Sequence, residues 1–259
     1  MKNYSLGFIG GGRVTRVILK AFQNKEIDLK SAEVFDTDKN TCENLKLEFA
    51  DIKISDINSL ANQEIVFLAL HPPVIMETLK KIAETLLDDT IIISLSPKIT
   101  IGHISSVLKR SKKIIRLIPN ATSYINEGYN PVCFSNAFSP EEKGNIISWL
   151  SLMGKTFEVQ EVKLEAFAII SAMLPTYFWF QWQKLYEIGR EIGLSEDESR
   201  EAIYFTLNSA VNILLRSGLN TSDVMDLIPV KPIGEHEAEI KQIFEDKLVA
   251  LYHKLNPVI

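Results

Sequence analysis

Three consecutive glycines near the start of the chain have the spacing of a phosphate-binding turn. In the segment LGFIGGGRVT (6–15), a short apolar run precedes the glycines and an apolar pattern at helical spacing follows them. This order predicts a buried strand, a tight turn and a helix. Gly10 would let the chain reverse without a Cβ clash, and Gly12 would let a pyrophosphate approach the helix N-terminus. The predicted contacts here are Gly10, Gly11, Gly12, Arg13 and Val14. The third glycine of the fingerprint is absent, since Thr15 replaces it.

An acidic residue ends the next predicted strand. Asp36 follows the apolar run at 32–35 and lies 24 residues after Gly12, close to the usual gap of about 20. A carboxylate at this place accepts hydrogen bonds from the adenosine ribose hydroxyls, and its charge would repel a 2′-phosphate. We therefore expect NAD(H) or NADP(H), with NAD favoured, although Arg13 could offset that preference. The alternative is that Asp36 caps the following helix, a role for which Asp38 is equally suited.

Strands and helices alternate along the first 160 residues. Apolar runs at 65–70, 90–95 and 113–118 are typical of central parallel strands, and helical spacing separates them. Beyond residue 163 the pattern predicts helices alone, including one that starts with a capping box at Ser195. We expect an α/β fold, with a Rossmann-type, mostly parallel sheet in a dinucleotide-binding domain at 1–160. An all-α dimerisation and substrate domain would follow at 161–259.

Composition excludes several classes of protein. The net charge of −5 is opposite to that of most nucleic-acid binders. Cys42 and Cys133 lack the spacing of a metal site, and we expect two buried thiols in a reducing cytoplasm, with no metal. The first predicted strand starts close to Met1, so we expect no signal peptide. The apolar run at 166–182 contains Pro175 and is short for a membrane span, so we expect a helix buried in a homodimer or in a higher oligomer.

At this point the chain resembles the pyrroline-5-carboxylate reductases, over most of its length. The segment at 8–15 is similar to the family's glycine turn, and 92–96 is similar to the strand before its small-residue loop. Ala69, His71 and Pro72 lie where the family has a strand ending in Lys-Pro, with His71 in place of the lysine. The segment RLIPNAT (116–122), followed by NEG (126–128), resembles the family signature that contains Asn120. SAMLPTY (171–177) replaces the family's Ser-Gly-Ser-Gly-Pro-Ala-Tyr.

The resemblance implies an activity and its partners. It implies a Rossmann domain, an interlocked helical dimer, and hydride transfer from NAD(P)H to the C=N bond of a small cyclic imine, as in proline biosynthesis. By position, Ala69, His71, Pro72 and Asn120 would contact the cofactor. The substrate would contact Ser171, Tyr177, Glu235 and His236.

The substrate loop departs from the family pattern. The family has Pro-Gly-Gly-Thr-Thr at a helix start, where this chain has PIGEH (232–236). Both threonines are absent, and Glu235 would repel a carboxylate at that helix start. His236 could replace a threonine as the proton donor, because imidazole is a natural general acid near neutral pH. The alternative is a surface histidine on an acidic helix.

The sequence is compatible with three functions. The first is an NAD(P)H-dependent oxidoreductase acting on a small amino-acid-like imine. The second is a relative that binds nucleotide without reductase activity, as a sensor or binding partner. The third is a reductase with another hydride carrier. The role of His71 is also open. A histidine that follows a parallel strand lies at the ligand-binding edge of the sheet, where it could contact the cofactor, but it can equally be a capped loop residue.

Overall fold

The computed structural model describes residues 3–108 and 110–256, in which eight strands form one sheet. The first four strands lie in the first 70 residues, and the others alternate with helices up to residue 158. Their bounds are β1 Leu6–Ile9, β2 Ala32–Phe35, β3 Lys53–Ile54, β4 Ile65–Leu68, β5 Ile91–Ser94, β6 Ile114–Leu117, β7 Gly128–Phe134 and β8 Gly154–Glu158.

The strand order is β3-β2-β1-β4-β5-β6-β7-β8, which is the doubly wound arrangement. All neighbouring pairs run parallel except β6 and β7, which are antiparallel. The predicted α/β class with a mostly parallel sheet is therefore confirmed. Because β1, β2, β4 and β5 are parallel, the segments that follow them emerge at one carboxyl edge of the sheet.

Helices separate the strands and then continue alone. Their bounds are α1 Arg13–Asn24, α2 Lys39–Glu48, α3 Ile57–Leu60, α4 Pro72–Ile82, α5 Ile101–Val107, α6 Pro140–Leu150, α7 Leu164–Phe167, α8 Leu174–Glu191, α9 Glu196–Arg216, α10 Thr221–Asp226 and α11 Glu237–Leu255. Short 3-10 turns cover Ala121–Ile125, Ser151–Met153, Glu161–Lys163 and Gly234–His236, and a π-helical turn covers Ala168–Ala172. Among the described residues after β8 there is no strand, as predicted.

The core lies on both faces of the sheet. On one face Phe8 of β1 and Phe67 of β4, which are register partners, stack with ring centroids 4.7 Å apart. Trp149 of α6 is buried beside them and lies 4.9 Å from the ring of Phe22 in α1. This packing fixes the first helix against the centre of the sheet. The start of α1 is thereby held at the carboxyl edge.

The chain divides into two compact units, residues 1–173 with 251–259, and residues 174–250. The predicted domain boundary at 160–161 stays a prediction. Helix α9 begins with the expected capping box, in which Ser195 and Glu198 each accept from the other's backbone N–H. In the described part of the chain, no helix has the length and apolar content to cross a membrane.

Candidate functional site

The glycine turn leaves β1 in a conformation that only glycine adopts easily. Gly10 has φ +104°, and a Cβ there would lie 2.4 Å from the carbonyl oxygen of Ala69. Its N–H donates to the Phe35 carbonyl at 2.7 Å. The turn is thus held between the ends of β2 and β4, and a side chain at residue 10 would force them apart.

Thr15 occupies the third glycine's place and supports the turn from inside. Its side chain is fully buried, and its hydroxyl donates to the Gly10 carbonyl at 2.5 Å. A hydroxyl that satisfies the carbonyl of a left-handed residue fixes the turn's conformation. This role of Thr15 was not predicted from the sequence, although a threonine among apolar residues on the inner face of a helix was the signal available.

Helix α1 starts in an open environment. Gly12 is its N-cap, and among the described residues no side chain caps the helix. A Cβ added at Gly12 would meet nothing within 4 Å, and Gly12, Arg13 and Val14 are all exposed. Free N–H groups at an uncapped, exposed helix start attract an anion. The arrangement fits the pyrophosphate of a dinucleotide.

Asp36 lies directly beside this turn. Its Oδ2 accepts from the Gly11 N–H at 2.7 Å, and its Oδ1 accepts from the Asp38 N–H at 2.9 Å. The cap of α2 is Asp38, whose side chain accepts from the Asn40 N–H. Asp36 therefore does not cap α2, which removes the alternative role. The carboxylate has about four acceptor positions, so further donors can bind to it.

The residues that follow β4 lie next to the glycine turn at the carboxyl edge of the sheet. The Ala69 N–H donates to the Ile9 carbonyl at 2.9 Å, and Ala69 packs against Gly10. His71 is the N-cap of α4 and is exposed, and its imidazole makes no capping hydrogen bond within the described chain. Pro72 is the first residue of α4, a position where its missing N–H costs nothing.

Asn120 and Ser171 are brought into direct contact. The Nδ2 of Asn120 donates to the Ser171 carbonyl at 3.1 Å and to its hydroxyl at 3.3 Å. Its Oδ1 accepts from the N–H and the hydroxyl of Thr122 at 3.0 and 2.9 Å. Ser171 lies in the π-helical turn, a form that is frequent at functional sites. Asn120, which is buried, thus ties the end of β6 to this turn.

An ionic cluster around the buried Arg116, next to the β5–α5 loop, was not predicted from the sequence. Arg116 in β6 is fully buried, and its guanidinium contacts Glu165 Oε1 at 2.5 Å and Glu161 Oε1 at 3.1 Å. The same two carboxylate oxygens accept from the N–H of Lys98 at 3.1 Å and of Ile101 at 2.7 Å. The cluster therefore holds both ends of that loop.

The thiol of Cys133 lies near this cluster and is buried. Burial raises its pKa to about 12, and the nearby Glu161 carboxylate adds to the shift. Such a thiol stays protonated at neutral pH and is a poor nucleophile. In the described chain, no three His, Cys, Asp or Glu residues are arranged to hold a metal ion.

The remaining predicted residues belong to the helical unit. Tyr177 is half-buried and packs edge-on against Phe244, with ring centroids 6.1 Å apart. Burial raises the pKa of its hydroxyl. His236 is exposed in the 3-10 turn before α11, and its ring nitrogens lie 3.5 Å from Glu235 and 3.8 Å from Glu239. Substrate contacts for these residues and for Ser171 stay predictions, as do the individual cofactor contacts.

The chain is similar in sequence to known oxidoreductases. Residues 5–98 match the family model of the coenzyme F420-dependent NADP oxidoreductases. The pyrroline-5-carboxylate reductase of Staphylococcus haemolyticus is 24% identical, with 96% of each chain covered.

Two solved structures have the same fold. The pyrroline carboxylate reductase of Plasmodium falciparum, solved with NADP bound, has a TM-score of 0.78 at 20% identity, covering 98% of this chain and 96% of that one. The pyrroline-5-carboxylate reductase of Coxiella burnetii has a TM-score of 0.70 at 22% identity, covering 98% and 95%. The resemblance and the fold class are thereby confirmed. Over nearly its whole length the chain is similar to the pyrroline-5-carboxylate reductases, at low sequence identity.

Proposed function

We propose that the protein is an NAD(P)H-dependent oxidoreductase that reduces the C=N bond of a small, amino-acid-like imine. One observation carries the proposal: an uncapped helix start, a glycine turn and the carboxylate of Asp36 meet at the carboxyl edge of a doubly wound sheet. The full-length similarity to pyrroline-5-carboxylate reductases supports the reaction class.

The residues present fit a dinucleotide. The N–H groups at the start of α1 would bind the pyrophosphate, and the acceptor positions left on Asp36 would bind the ribose hydroxyls. When bound, the reduced nicotinamide supplies the hydride. His71 would contact the nicotinamide half, since it is exposed directly after β4.

We propose NADH over NADPH as the preferred cofactor. A carboxylate at Asp36 repels a 2′-phosphate, and hydrogen bonds from Gly11 and Asp38 hold it in place. Arg13, the exposed first residue of α1, would reduce this preference without removing it.

We propose His236 as the proton donor to the developing amine. The side chain of His236 is exposed, histidine is the commonest general acid in enzymes, and the two threonines of the family loop are absent. Replacement by glutamine should lower kcat about 100-fold, the usual contribution of general acid catalysis. His253→Gln is the matched control, because it removes another histidine of the same chain.

The function is tested in two steps. Fluorescence titration with NADH and NADPH measures cofactor binding, and loss of absorbance at the reduced nicotinamide band then reports turnover on a set of cyclic imines. We expect binding of NADH and turnover of at least one imine that carries a carboxylate. Binding without any turnover would favour a nucleotide-binding relative instead, and no binding would contradict both.

We further propose a homodimer formed by the C-terminal helices, in the cytoplasm. Large apolar side chains are exposed on α8 and α9 of the single chain, among them Phe180, Tyr204 and Phe205 at 62–68% exposure. Exposed apolar surface on this scale is typical of an interface. The reducing compartment is supported by the two free, buried cysteines, Cys42 and Cys133.

A further inference from the structure

The loop that follows β5 holds a lysine in an unusual backbone conformation. Lys98 has φ +77°, in the left-handed region that favours glycine. The loop leaves the carboxyl end of β5, which is joined through β4 to β1, so it emerges at the same edge as the glycine turn. A non-glycine residue in this conformation, at a ligand-binding edge, points to a functional constraint.

The protein interior holds Lys98 in this conformation. Its N–H donates at 3.1 Å to Glu165, a carboxylate that is 1% exposed and paired with the buried Arg116. Glu161, the second carboxylate on Arg116, accepts from the Ile101 N–H and so fixes the other end of the loop. Arg116 pairs with both carboxylates through its two terminal nitrogens, while its Nε has no hydrogen-bond partner in the described chain. Such a buried pairing is rigid, because breaking it leaves an unpaired buried charge. The backbone at Lys98 is therefore preorganised.

Among the described residues, the ammonium group of Lys98 has no ion-pair partner. The residue is exposed, and within the described chain no carboxylate lies within ion-pair distance of its ammonium group. Lys113, on the opposite edge of the sheet, differs in this respect, since Asp89 and Glu142 both pair with it. A lysine held rigidly by its backbone and left unpaired presents its charge to a ligand.

We propose that Lys98 determines substrate specificity by contacting the carboxylate of the imine substrate. The inference rests on the proposed function, which makes the substrate amino-acid-like and hence anionic. The predicted pyrophosphate contacts are at the start of α1, two strands away from β5, so we assign the carboxylate and not a cofactor phosphate to Lys98.

A structural role for the charge is the competing explanation. The Arg116 cluster contains two carboxylates and one guanidinium, so its net charge is −1, and the Lys98 ammonium could balance it. The two roles give different results. If the charge balances the cluster, its removal lowers the stability of the fold. If the charge contacts the substrate, its removal weakens the binding of anionic ligands alone.

The experiment measures binding of an inert probe, with and without saturating NADH, by calorimetry. The probe is cyclopentanecarboxylate, and cyclopentanecarboxamide is its neutral counterpart. We expect Lys98→Met to weaken binding of the carboxylate about tenfold, the typical effect of losing one charged hydrogen bond, and to leave the amide unchanged. Lys98→Arg should retain binding. Lys112→Met, an exposed lysine before β6, is the matched control.

The thermal midpoint and the NADH affinity complete the test. Lys98→Gly should raise the midpoint, because glycine relieves the left-handed strain, and should bind the carboxylate as weakly as Lys98→Met. A lower midpoint for Lys98→Met with unchanged carboxylate binding would overturn the inference in favour of charge balance. A loss of NADH affinity would also overturn it, since the anion would then be a cofactor phosphate.

Failure of the proposed function is distinguishable from failure of this inference. A parent protein that binds NADH but not the carboxylate keeps the dinucleotide site and overturns the assignment of Lys98. A parent that binds the carboxylate through Lys98 but binds no dinucleotide supports the assignment and contradicts the oxidoreductase.

Discussion

The hydrogen bonds of Asp36 show how one carboxylate can serve both the protein and its ligand. Each oxygen already accepts one backbone N–H, from Gly11 and from Asp38. Truncation to alanine would therefore disturb the turn as well as remove the charge. Asparagine is the sharper variant, because its carbonyl oxygen still accepts the Gly11 N–H while the charge is absent.

We expect Asp36→Asn to narrow the preference for NADH over NADPH. Without the negative charge the 2′-phosphate is no longer repelled, so NADPH affinity should rise by about tenfold while NADH affinity falls by less. Fluorescence titration with both cofactors measures the ratio. Asp38→Asn, on the cap of α2, is the control for charge alone. Equal affinities for the two cofactors in the parent would contradict the preference itself.

Thr15 provides a second prediction at the residue scale. Thr15→Val keeps the shape but removes the donor to the Gly10 carbonyl, so the free energy of unfolding should fall by about 1–2 kcal/mol. NADH affinity should fall as well, because the turn loses its internal support. Urea unfolding and titration measure the two effects. Thr15→Ser retains the hydroxyl and should keep the affinity; equal losses in both variants would show that packing alone is at work.

At the scale of elements, helix α6 has a titratable capping box. Glu142 Oε2 accepts from the Ser139 N–H at 2.8 Å, and Oε1 lies 3.0 Å from the ammonium of Lys113. The Ser139 backbone, followed by Lys113, lowers the pKa of Glu142 to about 2 from its ordinary 4.5. Since the folded pKa is the lower one, this carboxylate stabilises the fold above pH 4.5 and loses that effect as the pH falls towards 2.

The Glu142→Gln variant tests this pH dependence. We expect a lower thermal midpoint than the parent at pH 7, and a difference that shrinks between pH 4.5 and pH 2, because only the charged form is stabilised. Differential scanning calorimetry across this range measures it. Glu141→Gln makes the same charge change one residue away, outside the capping box. A difference that stays constant with pH would show that shape, and not charge, accounts for the effect.

Elements with strong periodicity were predictable, and tertiary contacts were not. The strands β1 and β4 and the capping box of α9 are each encoded by residues that are close together in the sequence. All three form as expected. The hydrogen bond from Asn120 to the π-helical turn at Ser171 joins residues that are 51 positions apart, so no local pattern indicates it. The same holds for Arg116 and Glu165, whose pairing only the folded chain brings about.

At the scale of the whole molecule, the two units differ in the exposed fraction of their large aromatic side chains. The sheet unit buries the aromatic residues Phe8, Phe67 and Trp149 at 2% exposure or less. The helical unit exposes Phe180 on α8 and Tyr204 on α9 by 68% and 64%. An isolated helical unit would leave this surface in water, and a second copy that buries it is the partner we propose.

Substitution of this surface tests the dimer. The parent should sediment at twice the 29.3 kDa of one chain, and Phe180→Asp combined with Tyr204→Asp should sediment as a monomer at micromolar concentration, because a buried, unpaired charge opposes association. Analytical ultracentrifugation measures the mass, and circular dichroism checks that the helices persist. Leu47→Asp changes an apolar residue of α2 that is 83% exposed, and should stay dimeric. A monomeric parent would contradict the dimer, and a dimeric double variant would place its interface away from α8 and α9.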